Sequence, residues 1–558
     1  VLSYQGRYVR HAAALTQILA EAAHGSRPDM DYEAGDFMRS THLGARSAGC
    51  KRSSPHLALA VARTASWKSL AWQLPAIAAL LAFGHETRAQ TAPVDGSLVE
   101  ISEIAGYNAL ERAAARANQA SYNRLAGVCG NGVGEGCTAG DLVVFEETRE
   151  LVETANELLG SGSTRYSLGL DTQGLGFALR WTAAEEMAGQ GSATTRFAAS
   201  QLSALATRLS VLRWGVSGLR TVNNESSDAT DIRLAGLNRP TQGGASADVP
   251  DDFPRWGSFV DGSFGYGSKD PTDLEDAFDF DGSEVTIGVD YRFTPWLVAG
   301  VMVGYSTKEI DFDSSLSIVD GGIKSDGFSG LLFGMLEGER SYLSASVGMQ
   351  SLAHDTTRRI TYPSLNPTVA SADSTARSSA DSSAILATLN AGYSFRFGAF
   401  SVDPVVDVVY SDTTIDGFTE TSTSNINPGT GNDPFNLQVG EQSIESFDVA
   451  PSLKMQYVFT PSFGVLIPYL VGRYHFELSD DARVISARYA DALGQLFAVE
   501  GTDFAVSTDV PDDEYYTLAG GFSFVLPHGF NGFVQYLEVF DYEAYSDSVI
   551  TAGFRFEF

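Results

Sequence analysis

Apolar and polar positions alternate along most of the chain from Arg255 onward. In Val285-Thr286-Ile287-Gly288-Val289-Asp290-Tyr291-Arg292-Phe293 the odd positions are apolar or aromatic and the even ones small or charged. A period of two predicts a strand with two chemically different faces. Phe447, Val449, Leu453, Met455, Tyr457 and Phe459 repeat the pattern against Asp448, Ser452, Lys454 and Gln456, and the chain closes on it through Ile550, Ala552, Phe554, Phe556 and Phe558. Burying Asp290, Arg292 or Lys454 in an apolar core would be costly. Facing a water-filled lumen, with the apolar face turned to lipid, costs little, and that is how a transmembrane β-barrel reads.

The connections support a barrel over a soluble sandwich, whose loops would be of mixed length. Short turns at 293–296, 337–340, 397–400, 459–463 and 526–530 alternate with long polar loops at 267–283, 307–326, 354–381, 411–443 and 478–514, and a shorter one at 541–546. Twelve antiparallel strands are predicted, starting near 255, 283, 296, 322, 340, 382, 399, 443, 463, 514, 529 and 546. An even count brings both barrel ends to the short-turn side. Phe293, Trp296, Tyr457, Phe459, Phe463 and Tyr469 cluster at strand ends and turns, where an interfacial girdle belongs.

Ahead of Arg255 the period changes to that of a helix. Leu202, Leu205, Leu209, Leu212, Val216 and Leu219 form a seam at alternating three and four spacing, as do Val144, Thr148, Leu151, Ala155 and Leu158. Ile101–Ala126 is a third, Ala-rich helix and Thr182–Ala188 a shorter one, with the Gly-rich segment 161–176 between. Such helices need partners, so a small bundle is expected. The Leu202 seam reads equally as its core stripe or as a segment engaged in translocation. Residues 223–254, rich in Asn, Ser, Asp, Gly and Pro, read as a linker.

No run of 18 apolar residues follows residue 90, so a membrane-spanning helix is not expected there. Residues 63–89 read as a signal peptide: Arg63 and Lys68, an apolar core from Leu70 to Phe83, and cleavage between Ala89 and Gln90. Residues 1–62 are either an over-extended reading frame or a long extended signal region. The formal net charge is −32, which disfavours nucleic acid as a partner. Cys129 and Cys137 flank a Gly-rich loop, and export predicts a disulfide between them.

Catalytic chemistry is thin. The histidines after residue 90 are His354, His475 and His528, all in the predicted barrel, so a Ser-His-Asp hydrolase is not expected in the helical part. No Gly-x-Ser-x-Gly elbow occurs, and Gly140-Asp141-Leu142 lacks a serine. The acidic stretch Asp273, Glu275, Asp276, Asp279, Asp281 and Glu284 lacks calcium-loop spacing and reads as a solvated loop. No catalytic residue, metal or cofactor is assigned.

The domain order is thus 1–62, signal peptide 63–89, a helical passenger-like domain 90–222, linker 223–254 and barrel 255–558. This order, with Arg255-Trp256-Gly257-Ser258-Phe259-Val260-Asp261-Gly262, Phe280 to Asp290 and the terminal Phe-Arg-Phe-Glu-Phe, resembles the autotransporters of type V secretion. The resemblance implies a barrel in the bacterial outer membrane, inserted by the barrel-assembly machinery with periplasmic chaperones. Phe554, Phe556 and Phe558 would be its assembly signal. It also implies a passenger delivered to the cell surface, where it could meet a ligand, and a helix kept in the lumen. Phe197–Arg220 is the candidate for that helix, and Asn223-Asn224 resembles the pair at which some members cleave themselves. Two departures are plain: the passenger is short and helical where family passengers are commonly long β-helices, and about 30 residues separate Arg220 from the first strand. The alternative function is a passive pore, or a structural or adhesive barrel with its helical domain in the periplasm or lumen.

Overall fold

The computed structural model describes residues 94–134, 136–183, 185–191, 219–221, 232–234, 255–312, 320–424, 435–462, 464–479, 482–489, 503–526 and 530–557. Residues 89–558 form one compact unit. Twelve strands make the barrel: β1 Trp256–Lys269, β2 Phe278–Thr294, β3 Leu297–Phe312, β4 Asp320–Glu337, β5 Ser341–Tyr362, β6 Ala372–Tyr393, β7 Phe400–Ile415, β8 Gln442–Tyr457, β9 Val465–Glu477, β10 Glu514–Val525, β11 Phe530–Phe540 and β12 Tyr545–Glu557. Each is antiparallel to its neighbours in sequence, and β12 pairs with β1 from Tyr545–Lys269 to Glu557–Gly257. That last ladder closes the sheet and removes its edges.

Burial is reversed relative to a water-soluble protein. On β2, Val285 is 54% exposed and Ile287 53%, while Thr286 is 1% and Asp290 2%. The apolar side chains face outward and the polar ones line the lumen. Exposed aromatics mark two belts: Trp256, Phe293, Trp296, Phe397, Tyr457 and Phe556 at the turn end, and Phe264, Tyr305, Phe328, Tyr474 and Tyr516 higher up. Trp256 and Phe264 are eight residues apart on β1. At ~3.4 Å per residue and a tilt of about 40°, that spans roughly 20 Å, close to the apolar band of outer-membrane barrels.

Above the upper belt the strands continue in phase while their chemistry inverts. Phe278 and Phe280 lie on the same inward row of β2 as Thr286 and Asp290, and Asp279 and Asp281 lie on the same outward row as Ile287. Ile310 and Phe312 on β3, Ile323 on β4 and Ile360 and Tyr362 on β5 likewise turn inward and are buried. Inside is now an apolar core and outside is water. This is why the strands outrun the predicted loops: β5 and β6 are each 22 residues long, reducing the expected loop 354–381 to 363–371. Outward Asp355, Thr357 and Arg359 read as loop because the inward His354, Thr356 and Arg358 between them are polar as well, and apolar inward positions return only at Ile360 and Tyr362.

The other long connections carry structure too. Phe418–Thr419, Leu437–Val439, Val484–Tyr489 and Asp503–Ser507 form a second antiparallel sheet, and Thr421–Ser424 pairs with β6.

Among the described residues that precede the barrel lie the helices α1 Ser97–Ile104, α2 Ala109–Cys129, α3 Ala139–Asn156 and α4 Thr172–Trp181, and residues 188–191 are helical as well. The single helix predicted from Ile101 to Ala126 is two. Gly106 takes φ +69°, and Asn108 and Glu111 form a capping box that restarts the chain as α2. Thr138 and Asp141 cap α3 in the same way. The segment 161–176 expected to break helices contains the start of α4, capped by Asp171, whose carboxylate accepts the Gly174 N–H at 2.8 Å. Within the short helix expected at Thr182–Ala188 a 3-10 turn, Glu185–Met187, runs into helical residues 188–191. Of the expected lumen helix Phe197–Arg220, residues 197–218 lie outside the described residues. Leu219–Thr221 is extended and pairs with Ile232–Leu234, so Leu219 and Arg220 are not helical.

Candidate functional site: barrel mouth and lumen

The helices sit at the long-loop end of the barrel, opposite the end that carries Arg255 and Glu557. One continuous hydrophobic core contains Leu98, Leu110, Leu151, Leu175, Leu179 and Met187 of the helical part together with Phe312, Ile323, Ile360, Phe435 and Tyr489 of the barrel strands and loops. The inverted strand ends are therefore the floor on which the helices pack. Gly189 lies directly on it: a Cβ there would be 3.0 Å from Ile323 and 3.3 Å from Phe312.

Polar contacts fix the arrangement at the end of α4. A helix leaves its last carbonyls without partners within the helix. Here Arg358 of β5 donates through Nη1 to Trp181 O (3.2 Å) and Ala183 O (3.4 Å), and the Tyr489 hydroxyl donates to Thr182 O (3.3 Å). The remaining Arg358 donors go to Glu420 Oε1 (Nε, 3.0 Å), Glu420 Oε2 (Nη2, 2.7 Å) and Phe435 O (Nη2, 2.8 Å). All five guanidinium hydrogens thus have acceptors, the condition for burying such a charge. A cation at a helix C-terminus also suits the helix dipole. Burial pushes the Tyr489 hydroxyl up to about 12, so it remains a donor throughout the physiological range.

Further contacts ring this centre. Leu365 N–H donates to Leu168 O (2.8 Å), Asn366 Nδ2 to Ser167 O (2.7 Å), Thr368 Oγ1 to Arg165 O (2.9 Å) and Arg483 Nη2 to Ala188 O (2.8 Å). Arg180 pairs with Asp276 at 3.7 Å.

The acidic stretch expected to be one solvated loop is divided. Glu275 and Asp276 are buried, Asp279 and Asp281 face outward, and Glu284 faces the lumen. Burial raises the Glu275 carboxyl, opposed by Lys269, which also bonds Asp509 at 2.9 Å. Among the described residues no group of three or more His, Cys, Asp or Glu side chains could hold a metal ion.

Lower down, the lumen wall is polar and hydrogen-bonded. Arg555 bonds Asp290 at 2.7 Å. His354 bonds Ser325 at 2.7 Å and Ser382 at 2.8 Å. His475 lies between Asp448 (Nδ1 to Oδ2, 2.9 Å) and Thr517 (Nε2 to Oγ1, 3.1 Å), stacked on Tyr515 at 4.4 Å. Both ring nitrogens of His475 are thus engaged within the wall. The wall is not uniformly polar: Phe259, Val298, Met302, Leu331, Phe333 and Met335 form an apolar patch.

Of the residues singled out from sequence, Cys129 and Cys137 are joined by a disulfide, with Cα atoms 5.2 Å apart. Phe554 and Phe556 face outward near the turn end of β12 against Phe530, with centroids 5.6 and 5.0 Å away. Ala89, Gln90, Asn223, Asn224, His528 and Phe558 lie outside the described residues. Arg358, Glu420 and Tyr489 were missed, because all three fall in stretches whose outward residues read as loop.

A closed twelve-strand barrel with a lipid-type exterior, two aromatic belts and turns and loops segregated to opposite ends is an outer-membrane β-barrel of the translocator class. Residues 258–537 match the family described as the autotransporter β-domain, and the chain belongs to the autotransporter family. None of the curated proteins matches it. Solved structures similar to it include the translocator domain of NalP from Neisseria meningitidis (12% identity over 55% of this chain and 90% of that one, TM-score 0.40). Two others are the β domain of the Bordetella autotransporter BrkA (14%, 55% and 100%, 0.36) and the transport unit of AIDA-I from Escherichia coli (10%, 56% and 93%, 0.33).

Proposed function

We propose that this autotransporter displays its helical unit, rather than a long β-helical passenger, on the cell surface at the outer mouth of its own barrel. One observation carries the reading. Gly191, the last described residue of the helical unit, lies at the long-loop end beside Arg483, whereas the chain re-enters the barrel at Arg255, at the short-turn end. Turns face the periplasm and long loops the exterior in such barrels. The connection between Gly191 and Arg255 must therefore change sides of the membrane, as it does when a passenger has been exported. Supporting steps are export by the signal peptide 63–89 with cleavage at Ala89–Gln90, and insertion by the barrel-assembly machinery through Phe554, Phe556 and Phe558. The helical unit is retained without self-cleavage at Asn223-Asn224, no catalytic role is assigned, and the apolar fill of the mouth argues against a passive pore.

The test is an epitope tag after Pro93 and protease added to intact cells, with outer-membrane fractionation and heat-modifiable gel migration confirming a folded barrel. Loss of the tag from a folded barrel is the expected result. A tag that is protected until the outer membrane is breached would overturn the reading.

A further inference from the structure

The contact between helices and barrel has the character of a domain interior rather than of two modules touching. We infer that the loop end of the barrel is a folding template for the helical unit, which completes its core only there and stays seated as a permanent cap. This rests on the surface-display reading but adds a dependence that display alone does not require.

Three observations carry it. First, the hydrophobic core runs without a break from α1–α4 into the inverted strand ends, and Gly189 of the helical unit sits directly against Ile323 and Phe312. Net stability of a domain is only about 5–15 kcal/mol, so a unit that takes part of its apolar core from a partner loses a large share of that margin when the partner is removed. Second, three successive carbonyls at the end of α4, those of Trp181, Thr182 and Ala183, have their donors on the barrel side, in Arg358 and Tyr489. Lifting the cap would exchange these buried bonds for bonds to water and open the Arg358–Glu420 pair to solvent. Third, the barrel side is prepared in advance: Glu420 holds Arg358 by two hydrogen bonds and also accepts the Leu437 N–H at 2.8 Å, orienting the guanidinium toward α4. The Arg358–Glu420 pair links a strand wall to a loop and presents the rest of the fork to the incoming helix.

An exported chain would then arrive at the surface unfolded and fold against the mouth it has just left. The cap would close the route behind it. This differs from a passenger that folds as an autonomous body and could be shed intact.

The experiment is the thermal melting of the purified full chain in detergent micelles, followed at 222 nm for the helices and by heat-modifiable migration for the barrel. Arg358→Ala removes the donors to Trp181 O and Ala183 O, and Gly189→Trp wedges the contact from the cap side without altering any barrel residue. The expected result is that helical melting falls by roughly 10 °C or more in both variants while the barrel stays folded, since each loses a buried contact worth several times the ~1 kcal/mol that moves a small domain by 4–8 °C. Helical melting unchanged in either variant, with the barrel intact, would show an autonomous domain and overturn the proposal. If Arg358→Ala prevents barrel assembly, Gly189→Trp decides alone. The measurement is made on purified protein and is blind to which side of the membrane the cap occupies, so failure here leaves surface display standing, and failure of the tag experiment leaves the template standing.

Discussion

Arg358 and Glu420 form a two-pronged ion pair in which neither side chain reaches solvent, exposed 0% and 1%. Their geometry, 3.0 Å from Nε to Oε1 and 2.7 Å from Nη2 to Oε2, is the fork-on-carboxylate match that makes arginine irreplaceable by lysine at such a place. Breaking a pair of this kind strands a charge. Glu420→Ala is expected to cost about 3–5 kcal/mol in the stability of the helical unit, whereas Arg358→Met combined with Glu420→Met is expected to cost less than Glu420→Ala alone. Urea midpoints of the 222 nm signal would show the non-additivity, and additive costs would mean that the pair is not the coupled element its geometry describes.

The Cys129–Cys137 bridge fastens the end of α2 to the start of α3 at a sequence separation of 8. Closing so short a loop restricts the unfolded chain by about 2.5 kcal/mol in the chain-entropy account. Replacing both cysteines by serine is expected to lower helical stability by about that amount and to leave the heat-modifiable migration of the barrel unchanged. Dithiothreitol on the parent protein should reproduce the shift, and have no effect on the double variant.

Much of the barrel was legible because a lipid-facing wall imposes period two on every strand, and Phe293, Trp296 and Tyr457 mark its turn-end edge. The sequence reading stopped at the upper belt. There Asp279, Asp281, Asp355 and Arg359 face water, and a strand that is polar outside and apolar inside resembles a loop once the expected order of faces is lipid-out. The missed residues follow from the same cause: a charge at Arg358 or Glu420 in a polar stretch reads as solvated, and only the arrival of α4 over it reveals a buried pair. The disulfide, by contrast, needed only two cysteines and an exported chain. The boundary between α1 and α2 was written locally, in Gly106 and in the Asn108-x-x-Glu111 spacing, but the alanine-rich flanks on either side masked it.

Glu150 on α3 makes the helical unit sensitive to pH. Burial pushes its carboxyl up from 4.5 to about 8, with Glu146 adding to the rise and Arg149 opposing it. The folded state then holds a proton that the unfolded chain gives up above pH 4.5, so this contribution to stability is full below about 4.5 and is lost as pH rises toward 8. Helical stability should therefore be higher at pH 5 than at pH 8.5, and Glu150→Gln should flatten the difference by stabilising the unit at the alkaline end. An equal pH dependence in parent and variant would remove Glu150 as its source.

The inversion of faces along one strand gives a test that uses a single kind of substitution. Ile287 and Asp281 share the outward row of β2, Ile287 within the apolar band and Asp281 above it, opposite Glu309 of β3. A lysine at mid-bilayer on the lipid face of such a barrel costs about 2–4 kcal/mol. Ile287→Lys should therefore reduce folding into lipid vesicles by that amount, measured as the urea dependence of the heat-modifiable form. Asp281→Lys sits in water and replaces a like-charge cross-strand pair by an opposite one, so it should change stability by less than about 0.5 kcal/mol or raise it slightly. Six positions along the strand, three steps on the same face, then separate a membrane environment from an aqueous one. A comparable loss at both positions would place Asp281 in the bilayer and move the membrane boundary toward the helices, leaving the inverted strand ends no water to face.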